Sequence, residues 1–175
     1  MKTLLEHLTN YADYHRDRRN IATHFVGIPM IVLGITTLLA RPAIMVGPLP
    51  ISPALVAAIG AVGFYVLLDK FYAAVMAAFF AVAVSVGAAI AAQSTTTWLV
   101  TGTLLFVVGW AIQFVGHVFE GRKPAFVDDL VGLLVGPLFV VAEGGFALGI
   151  RTELRTAIEE KVGPTRIRGA SDGSG

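Results

Sequence analysis

The stretch FYAAVMAAFFAVAVSVGAAIAAQSTTTWLVTGTLLFVVGWAIQFVGHVF, residues 71–119, contains no Asp, Glu, Lys or Arg. A helix needs about 20 apolar residues to cross a hydrocarbon core about 30 Å thick, so this run is long enough for two crossings. The polar patch QSTTT, residues 93–97, divides the run near its middle. We therefore predict two membrane-spanning helices, one on either side of the patch.

Two further apolar runs lie upstream. Residues 20–40 and residues 51–68 also lack charged side chains, and the Pro- and Gly-rich stretch RPAIMVGPLPISP joins them. Of the 175 residues 55% are hydrophobic and 14% are charged, whereas a typical soluble domain carries about 25% charged residues. The net charge of +1 argues against nucleic acid as a partner. The sequence therefore predicts an all-α integral membrane protein with four transmembrane helices.

The N-terminal residues predict an amphipathic helix ahead of the first span. Leu4, Leu8, Tyr11 and His15 recur at helical spacing and form one stripe. His7 lies off this stripe, and we expect it to be solvated.

The chain after the fourth span is apolar but irregular. Residues 130–150 include Pro137, several glycines and Glu143, which predicts a broken, re-entrant or interfacial segment. Residues 151–175 predict a short amphipathic helix followed by a Gly/Ser-rich disordered tail. We therefore divide the chain into a membrane-embedded domain, residues 1–150, that contains the candidate catalytic residues, and a C-terminal extension, residues 151–175.

The distribution of Lys and Arg predicts the orientation, because cytoplasmic loops carry an excess of these residues. With four spans and a cytoplasmic N-terminus, only Arg41 lies outside. The inside then holds Lys2, Arg16, Arg18, Arg19, Lys70, Arg122, Lys123 and the C-terminal basic residues. We expect a multi-pass membrane protein with both termini in the cytoplasm.

This topology brings histidines together. His24 begins the first span and His117 ends the fourth, so both lie at the cytoplasmic face. His15 precedes His24 by nine residues, which on a continuous helix would place it about 180° away. A helix break near Arg19 or Asn20, with Asn20 as the N-cap, would allow all three imidazoles to face one site.

A polar stripe occurs near the end of the fourth span, in WAIQFVGHVFEGRKPAF. Trp110, Gln113, His117 and Glu120 fall within about 80° of one another around a helix. Lipid offers no hydrogen bonds, so such a stripe faces protein, ligand or trapped water. Hydrogen bonds between helices explain it as well as a ligand site does. The spacing of His117 and Glu120 suits a metal ion, although such pairs are frequent by chance.

Glu143 is costly if it lies at membrane depth, and such residues are functional-site candidates by default. A shallow position beside the following glycines is the alternative. Asp128 and Asp129 are expected to be solvated loop or cap residues. The chain has no cysteine, which excludes thiolate ligands and a cysteine nucleophile, and it has no glycine-rich phosphate loop. Its oligomeric state is left open.

Three motifs together resemble a known family. YADYHRDRRNIATHFVGIP, WAIQFVGHVFEGRKPAF and LLVGPLFVVAE, within residues 1–150, are similar to motifs of the membrane 2-hydroxy fatty acid dioxygenases. The resemblance implies an Fe(II)-dependent α-oxidation in which a 2-hydroxy fatty acid reacts with O₂ and loses one carbon. It also implies a link to sphingolipid degradation.

The resemblance extends to individual residues. It implies that His15, His24 and His117 are catalytic and bind iron, with Glu120 as a further candidate ligand and Glu143 as a candidate catalytic residue. Which carboxylate, if either, binds the metal is left open. Imidazole and carboxylate ligands suit non-haem Fe(II), and a 2-hydroxy acid can chelate such an ion.

The implied partners are a 2-hydroxy fatty acid, O₂ and membrane lipid. The acid would place its head at the interface and its tail in the bilayer. There Arg16, Arg19 or Arg122 would attract the carboxylate. Retention at the cytoplasmic face is the simpler role for Arg16 and Arg19, and it explains Arg122 equally well. The site would lie at the cytoplasmic face of a bacterial inner membrane or of the endoplasmic reticulum.

A rival function is a proton-coupled transporter or small channel that uses Glu143 and His117 as a relay. A histidine-rich membrane hydroxylase is excluded, since such enzymes need more histidines than the four of this chain. A transporter should show neither bound metal at a defined stoichiometry nor conversion of a fatty acid.

Overall fold

A computed structural model describes residues 2–127 and 130–167 of the chain. Within these residues it contains seven α-helices, a short 3-10 helix at Ala125–Val127 and one β-hairpin. The helices are α1 (Leu4–Asp13), α2 (Arg18–Ala40), α3 (Pro53–Leu68), α4 (Lys70–Ala91), α5 (Thr95–Glu120), α6 (Gly132–Ala147) and α7 (Thr152–Val162), and the strands are β1 (Ile44–Val46) and β2 (Leu49–Ile51).

Three helices of the described part of the chain, α2, α4 and α5, are long and apolar enough to cross a membrane. Large apolar side chains on them, including Val82, Leu104 and Val118, are exposed, which suits contact with lipid. α3 has 16 residues, a rise of about 24 Å. α6 and α7 together make a further candidate span, in which the two helices are bent by 113° relative to each other. Several membrane-length apolar helices in a helical chain are thus confirmed, while the number of four stays a prediction.

The chain divides into two compact units, Met1–Ile28 with Ala111–Gly175, and Pro29–Trp110. In the second unit α3 and α4 pack against each other. Asp69 alone joins them, and its carboxylate accepts a hydrogen bond from the backbone N–H of Tyr72 at 3.0 Å. The predicted loop between the first two spans forms the β1–β2 hairpin. Gly47 at its turn has a φ of 61°, a conformation that favours glycine.

Arg41 fastens the turn between α4 and α5. Its guanidinium donates to the carbonyl oxygens of Ala91 at 2.9 Å and Gln93 at 2.6 Å, and it lies 4.6 Å from the centre of the Trp98 ring. Cationic donors stabilise the exposed carbonyls at a helix C-terminus. Arg41, the one arginine that we predict on the outer side of the membrane, therefore has a structural role in this unit.

In the first unit α1 packs against α6 and α7. Leu8 and Ala12 of α1 are fully buried. The prediction that His7 is solvated is wrong, because its exposed fraction is only 8%. Its side chain lines a cavity of about 410 Å³ between α1, α6 and α7.

The pair of α6 and α7 has the bend of a broken span or a re-entrant loop, as predicted for this region, but α6 itself is unbroken. The helix is continuous from Gly132 to Ala147, with Pro137 inside it. Half of its residues are buried, so packing outweighs the hydrogen bond that the proline cannot make. A Cβ at Gly136 would approach the Tyr11 hydroxyl to 2.9 Å, which shows how closely α6 lies against α1. The chain bends only after α6, where Arg151 has a φ of 57°.

Candidate metal centre

The site begins with the loop that joins α1 to α2. The helices break at residues 14–17, earlier than the predicted position at Arg19 or Asn20. Asp17 has the hydrogen bonds of an N-cap: its Oδ1 accepts from the backbone N–H of Arg19 at 2.8 Å, and its carbonyl accepts from Ile21 at 3.1 Å. The prediction that Asn20 caps the helix is therefore wrong. The break itself turns His15 back towards α2.

Three imidazoles meet beside this loop. His15, His24 and His117 have exposed fractions of 0%, 1% and 7%. Their ring centres are 4.4 Å apart for His15 and His24, 5.0 Å for His15 and His117, and 5.3 Å for His24 and His117. One ring nitrogen from each residue lies within 4.8 Å of the other two. Among the described residues these three form a group that could hold a metal ion.

Hydrogen bonds fix which ring nitrogens face the centre of the group. Nδ1 of His15 donates to the carbonyl of Tyr11 at 2.6 Å, and Nδ1 of His24 donates to the carbonyl of Asn20 at 2.8 Å. A carbonyl only accepts, so each Nδ1 must carry the proton, and in a neutral imidazole each Nε2 then presents a lone pair. The two Nε2 atoms are 3.0 Å apart.

This arrangement fits a metal ion. Two lone pairs facing each other at 3.0 Å repel unless a cation lies beside them. Imidazole nitrogens bind transition metals at about 2.1 Å, so two such ligands at a right angle are about 3 Å apart. Burial also lowers the pKa of His15 well below its usual value, which favours the neutral, metal-binding form.

Aromatic side chains cover one side of the group. Tyr11 stacks on His15 with ring centres 4.2 Å apart and an angle of 4° between the planes. Phe139 of α6 lies 5.5 Å from the His15 ring and 5.0 Å from the Tyr11 ring. These rings exclude water from His15 and fix its orientation.

Glu120 lies beside the loop rather than among the imidazoles. It is fully buried, and its Oε2 accepts from the backbone N–H of Asp17 at 2.8 Å and from Nδ2 of Asn20 at 3.1 Å. Asn20 is in turn the residue whose carbonyl orients His24. These contacts connect Glu120 to His15 and His24 through the backbone, while its binding of a metal stays a prediction.

The packing of α2 on α5 is tight at this level. A Cβ at Gly116, the residue before His117, would collide with the hydroxyl of Thr23 and would lie 2.5 Å from Oδ1 of Asn20. The absence of a side chain therefore allows the two histidine-bearing helices to approach each other. Gln113, one turn before His117, is also buried.

Two of the three predicted carboxylate-binding arginines are already paired. Arg19 binds the Asp17 carboxylate at 2.7 Å, and Arg122 binds the Asp13 carboxylate at 2.9 Å. Arg16 is different. It is 5% exposed, and its Nη2 makes no hydrogen bond within the part of the chain that the structure describes.

Glu143 is outside the imidazole group. It follows Phe139 by one turn of α6, and it lines a crevice of about 240 Å³ with Arg18 and Arg155. Glu143 therefore lies one helical turn from Phe139, whose ring contacts that of His15. Its catalytic role stays a prediction.

A segment after α7 also contacts the loop, which sequence reasoning missed. Arg166 donates from its backbone N–H to the carbonyl of Arg16 at 2.8 Å, and Arg18 donates to the carbonyl of Arg166 at 2.9 Å. Nη1 of Arg16 donates to the carbonyl of Gly163 at 2.9 Å. Most of these contacts are made by backbone atoms, so no side-chain motif marks them. The expectations for Asp128, Asp129 and the tail, residues 168–175, lie outside the described residues.

The fold and the site define a helical protein with membrane-length apolar helices and a buried three-histidine group suited to a metal ion. The family described as 2-hydroxy-palmitic acid dioxygenase Mpo1-like matches residues 1–147, and the chain belongs to this family. The resemblance seen in the sequence is thus confirmed.

One curated relative is the 2-hydroxy-palmitic acid dioxygenase MPO1 of Saccharomyces cerevisiae (strain ATCC 204508 / S288c). It is 45% identical over 60 residues, which cover 33% of this chain and 34% of the yeast protein. The match therefore spans about a third of that relative's length. No solved structure matches the chain.

Proposed function

We propose that this protein is a non-haem Fe(II) dioxygenase that shortens 2-hydroxy fatty acids by one carbon. The observation that carries the proposal is the pair of Nε2 atoms of His15 and His24, held 3.0 Å apart with both Nδ1 protons donated to carbonyls. His117 would complete the ligand set. The family and the name of the yeast relative support the choice of substrate and of O₂.

The balance of the proposed reaction requires no reductant. A 2-hydroxy acid and O₂ together contain the atoms of the shortened acid, one CO₂ and one water. The C1–C2 bond breaks, C2 is oxidised to the new carboxyl carbon, and O₂ accepts all the electrons. The reaction is thus compatible with the lack of a glycine-rich nucleotide motif in the sequence.

The residues of the site would divide the work. His15, His24 and His117 would hold the ion, which when bound would supply coordination positions for the hydroxy acid and for O₂. The carbonyls of Tyr11 and Asn20 orient two of the imidazoles. Such partners of a metal ligand fix its tautomer and its direction.

Burial and charge would bring the acid to the site. Tyr11 and Phe139 keep water away from His15. Arg16 is the predicted carboxylate-binding arginine with a buried donor that is unused in the described part of the chain. We propose that its positive charge attracts the substrate carboxylate. The fatty tail would extend into the bilayer from a site at the cytoplasmic face.

Metal analysis and one assay test this function. Protein purified without O₂ should contain one iron per chain, and it should convert 2-hydroxypalmitate to the acid one carbon shorter when O₂ is added. Palmitate, which lacks the hydroxyl, is the control and should not react. Protein with no stoichiometric metal and no product would contradict the proposal and favour the transporter.

A further inference from the structure

A second, more exposed feature of the same unit is the crevice of about 240 Å³ between α2, α6, α7 and the segment after α7. Its polar lining comprises Arg18, Glu143, Arg155 and Thr165, and Ile21 and Phe146 contribute apolar surface. Two cations and one carboxylate therefore face an apolar wall. This lining suits an amphiphile with an anionic head.

The charged groups around the crevice are close enough to interact electrostatically, but Glu143 does not contact the arginines. Arg16 and Arg155 are the cations that act most strongly on Glu143, yet Glu143 makes no ion pair or hydrogen bond within residues 2–127 and 130–167. Nε of Arg155 donates a hydrogen bond to the Glu159 carboxylate at 2.9 Å, and Nε of Arg18 donates to the Thr165 hydroxyl at 3.4 Å. Within residues 2–127 and 130–167 the Nη groups of both arginines make no hydrogen bond. The space between these groups can admit a ligand that bridges opposite charges.

We propose that this crevice binds the polar head of a 2-hydroxy acid, with its carboxylate on Arg18 and Arg155 and its hydroxyl donating to Glu143. The carboxylate accepts from the Nη donors, and the neighbouring hydroxyl can donate to a carboxyl oxygen of Glu143. Ile21 and Phe146 contact the first methylenes. The identity of the acid rests on the proposed function, whereas the binding site rests on the crevice.

The crevice adjoins the three imidazoles. Ile21 precedes His24 by three residues on α2, and Glu143 follows Phe139 by four residues on α6, so each pair shares a helix face. The Phe139 ring is 5.5 Å from that of His15. The head would therefore be held about one helical turn, about 5 Å, from the histidine level. This position makes the crevice a capture site beside the centre where the acid would react.

Binding to metal-free protein isolates this site, because chelation by an ion then contributes nothing. The dissociation constants of 2-hydroxypalmitate and palmitate would be measured on the full chain in lipid nanodiscs. Arg155→Gln should weaken binding of both acids by about tenfold or more, since it removes a charge-assisted hydrogen bond. Glu143→Leu removes the acceptor altogether, so it should weaken binding of 2-hydroxypalmitate but not of palmitate and so reduce the preference for the hydroxyl.

A matched control separates the crevice from the surface ion pair. Glu159→Ala breaks the pair with Arg155 but leaves the crevice lining intact, so it should bind both acids as the unchanged protein does. Equal affinity of Arg155→Gln and the unchanged protein for 2-hydroxypalmitate would overturn the proposal. An unchanged preference for the hydroxyl in Glu143→Leu would overturn it as well. Iron content and turnover are measured separately. The proposed function can therefore hold if the crevice does not bind the acid, and the crevice can bind the acid if the proposed function is wrong.

Discussion

The imidazoles of His15 and His24 are oriented by backbone carbonyls from the preceding helical turn, and this limits what can replace them. A substitution that removes either ring removes the hydrogen bond between its Nδ1 and the carbonyl of Tyr11 or Asn20. The loss of one ligand also leaves only two imidazoles within reach of an ion. The metal site should therefore respond sharply to single changes.

We predict that His24→Ala abolishes stoichiometric iron and turnover, and that His15→Ala and His117→Ala do the same. The measurement is iron per chain by elemental analysis after anaerobic purification. His7→Asn is the control, since His7 is buried but lies outside the imidazole group. Full iron content in His24→Ala would show that the site is wrong.

Glu120 allows a test of orientation against ligation. In Glu120→Gln the side-chain oxygen can still accept from Asp17 and Asn20, whereas the negative charge is lost. We predict that iron is retained with an affinity about 10- to 100-fold weaker, as is usual for residues that orient ligands. A competition titration with a chelator measures this affinity. A complete loss of iron, equal to that of His24→Ala, would instead identify Glu120 as a ligand.

The residues of the site were predictable to different degrees. His24 and His117 could be paired because both lie at the ends of long charge-free runs, and the length of those runs decides the topology. The hydrogen bonds of Glu120 could not be foreseen, since its helix position suits a ligand and a loop partner equally. Asp17 was not predicted as the N-cap of α2 because it lies within a cluster of charged residues, where the sequence does not indicate at which residue the helix begins.

At the scale of elements, α2, α4 and α5 follow from composition alone. Their boundaries agree with the predicted spans because charged or polar residues stop each apolar run. The continuity of α6 did not follow, because its proline and glycines are unfavourable locally and only the packing against α1 outweighs them. The contacts of residues 163–167 depend on the backbone and have no pattern in the sequence.

The segment after α7 should be needed for the metal site. Arg166→Pro removes the N–H that donates to the carbonyl of Arg16, next to His15, so we predict a loss of iron affinity of about tenfold. Arg166→Ala keeps this N–H and is the matched control. Iron affinity would be measured by chelator competition for both variants. Equal affinities in the two would exclude a role for this backbone contact.

At the scale of the whole molecule, one hydrogen-bonded contact restricts the topology. Arg166 bonds to Arg16, which lies just before α2. The loop before α2 and residues 163–167 after α7 therefore lie on the same side of any membrane that the helices cross. This agrees with the predicted location of both termini in the cytoplasm, which the distribution of Lys and Arg supports independently.

Labelling can test this orientation, because the chain has no cysteine of its own. We predict that Ile44→Cys, at an exposed hairpin position, reacts with a membrane-impermeant maleimide added from outside intact cells. Glu153→Cys, at an exposed position of α7, should react only after the cells are opened. Labelling of Glu153→Cys in intact cells would contradict the cytoplasmic assignment.

The contact between Arg16 and Gly163 joins residues that are 147 positions apart. The ribosome makes the first histidine of the group early and the segment that holds its loop much later. A nascent chain that has emerged only as far as α5 thus contains every proposed ligand without the backbone partners of the loop. The proposed metal would then be inserted at full affinity only late in biogenesis, after α7 and residues 163–167 have emerged and docked. Translation intermediates stalled before this point should exchange iron freely with the surrounding pool.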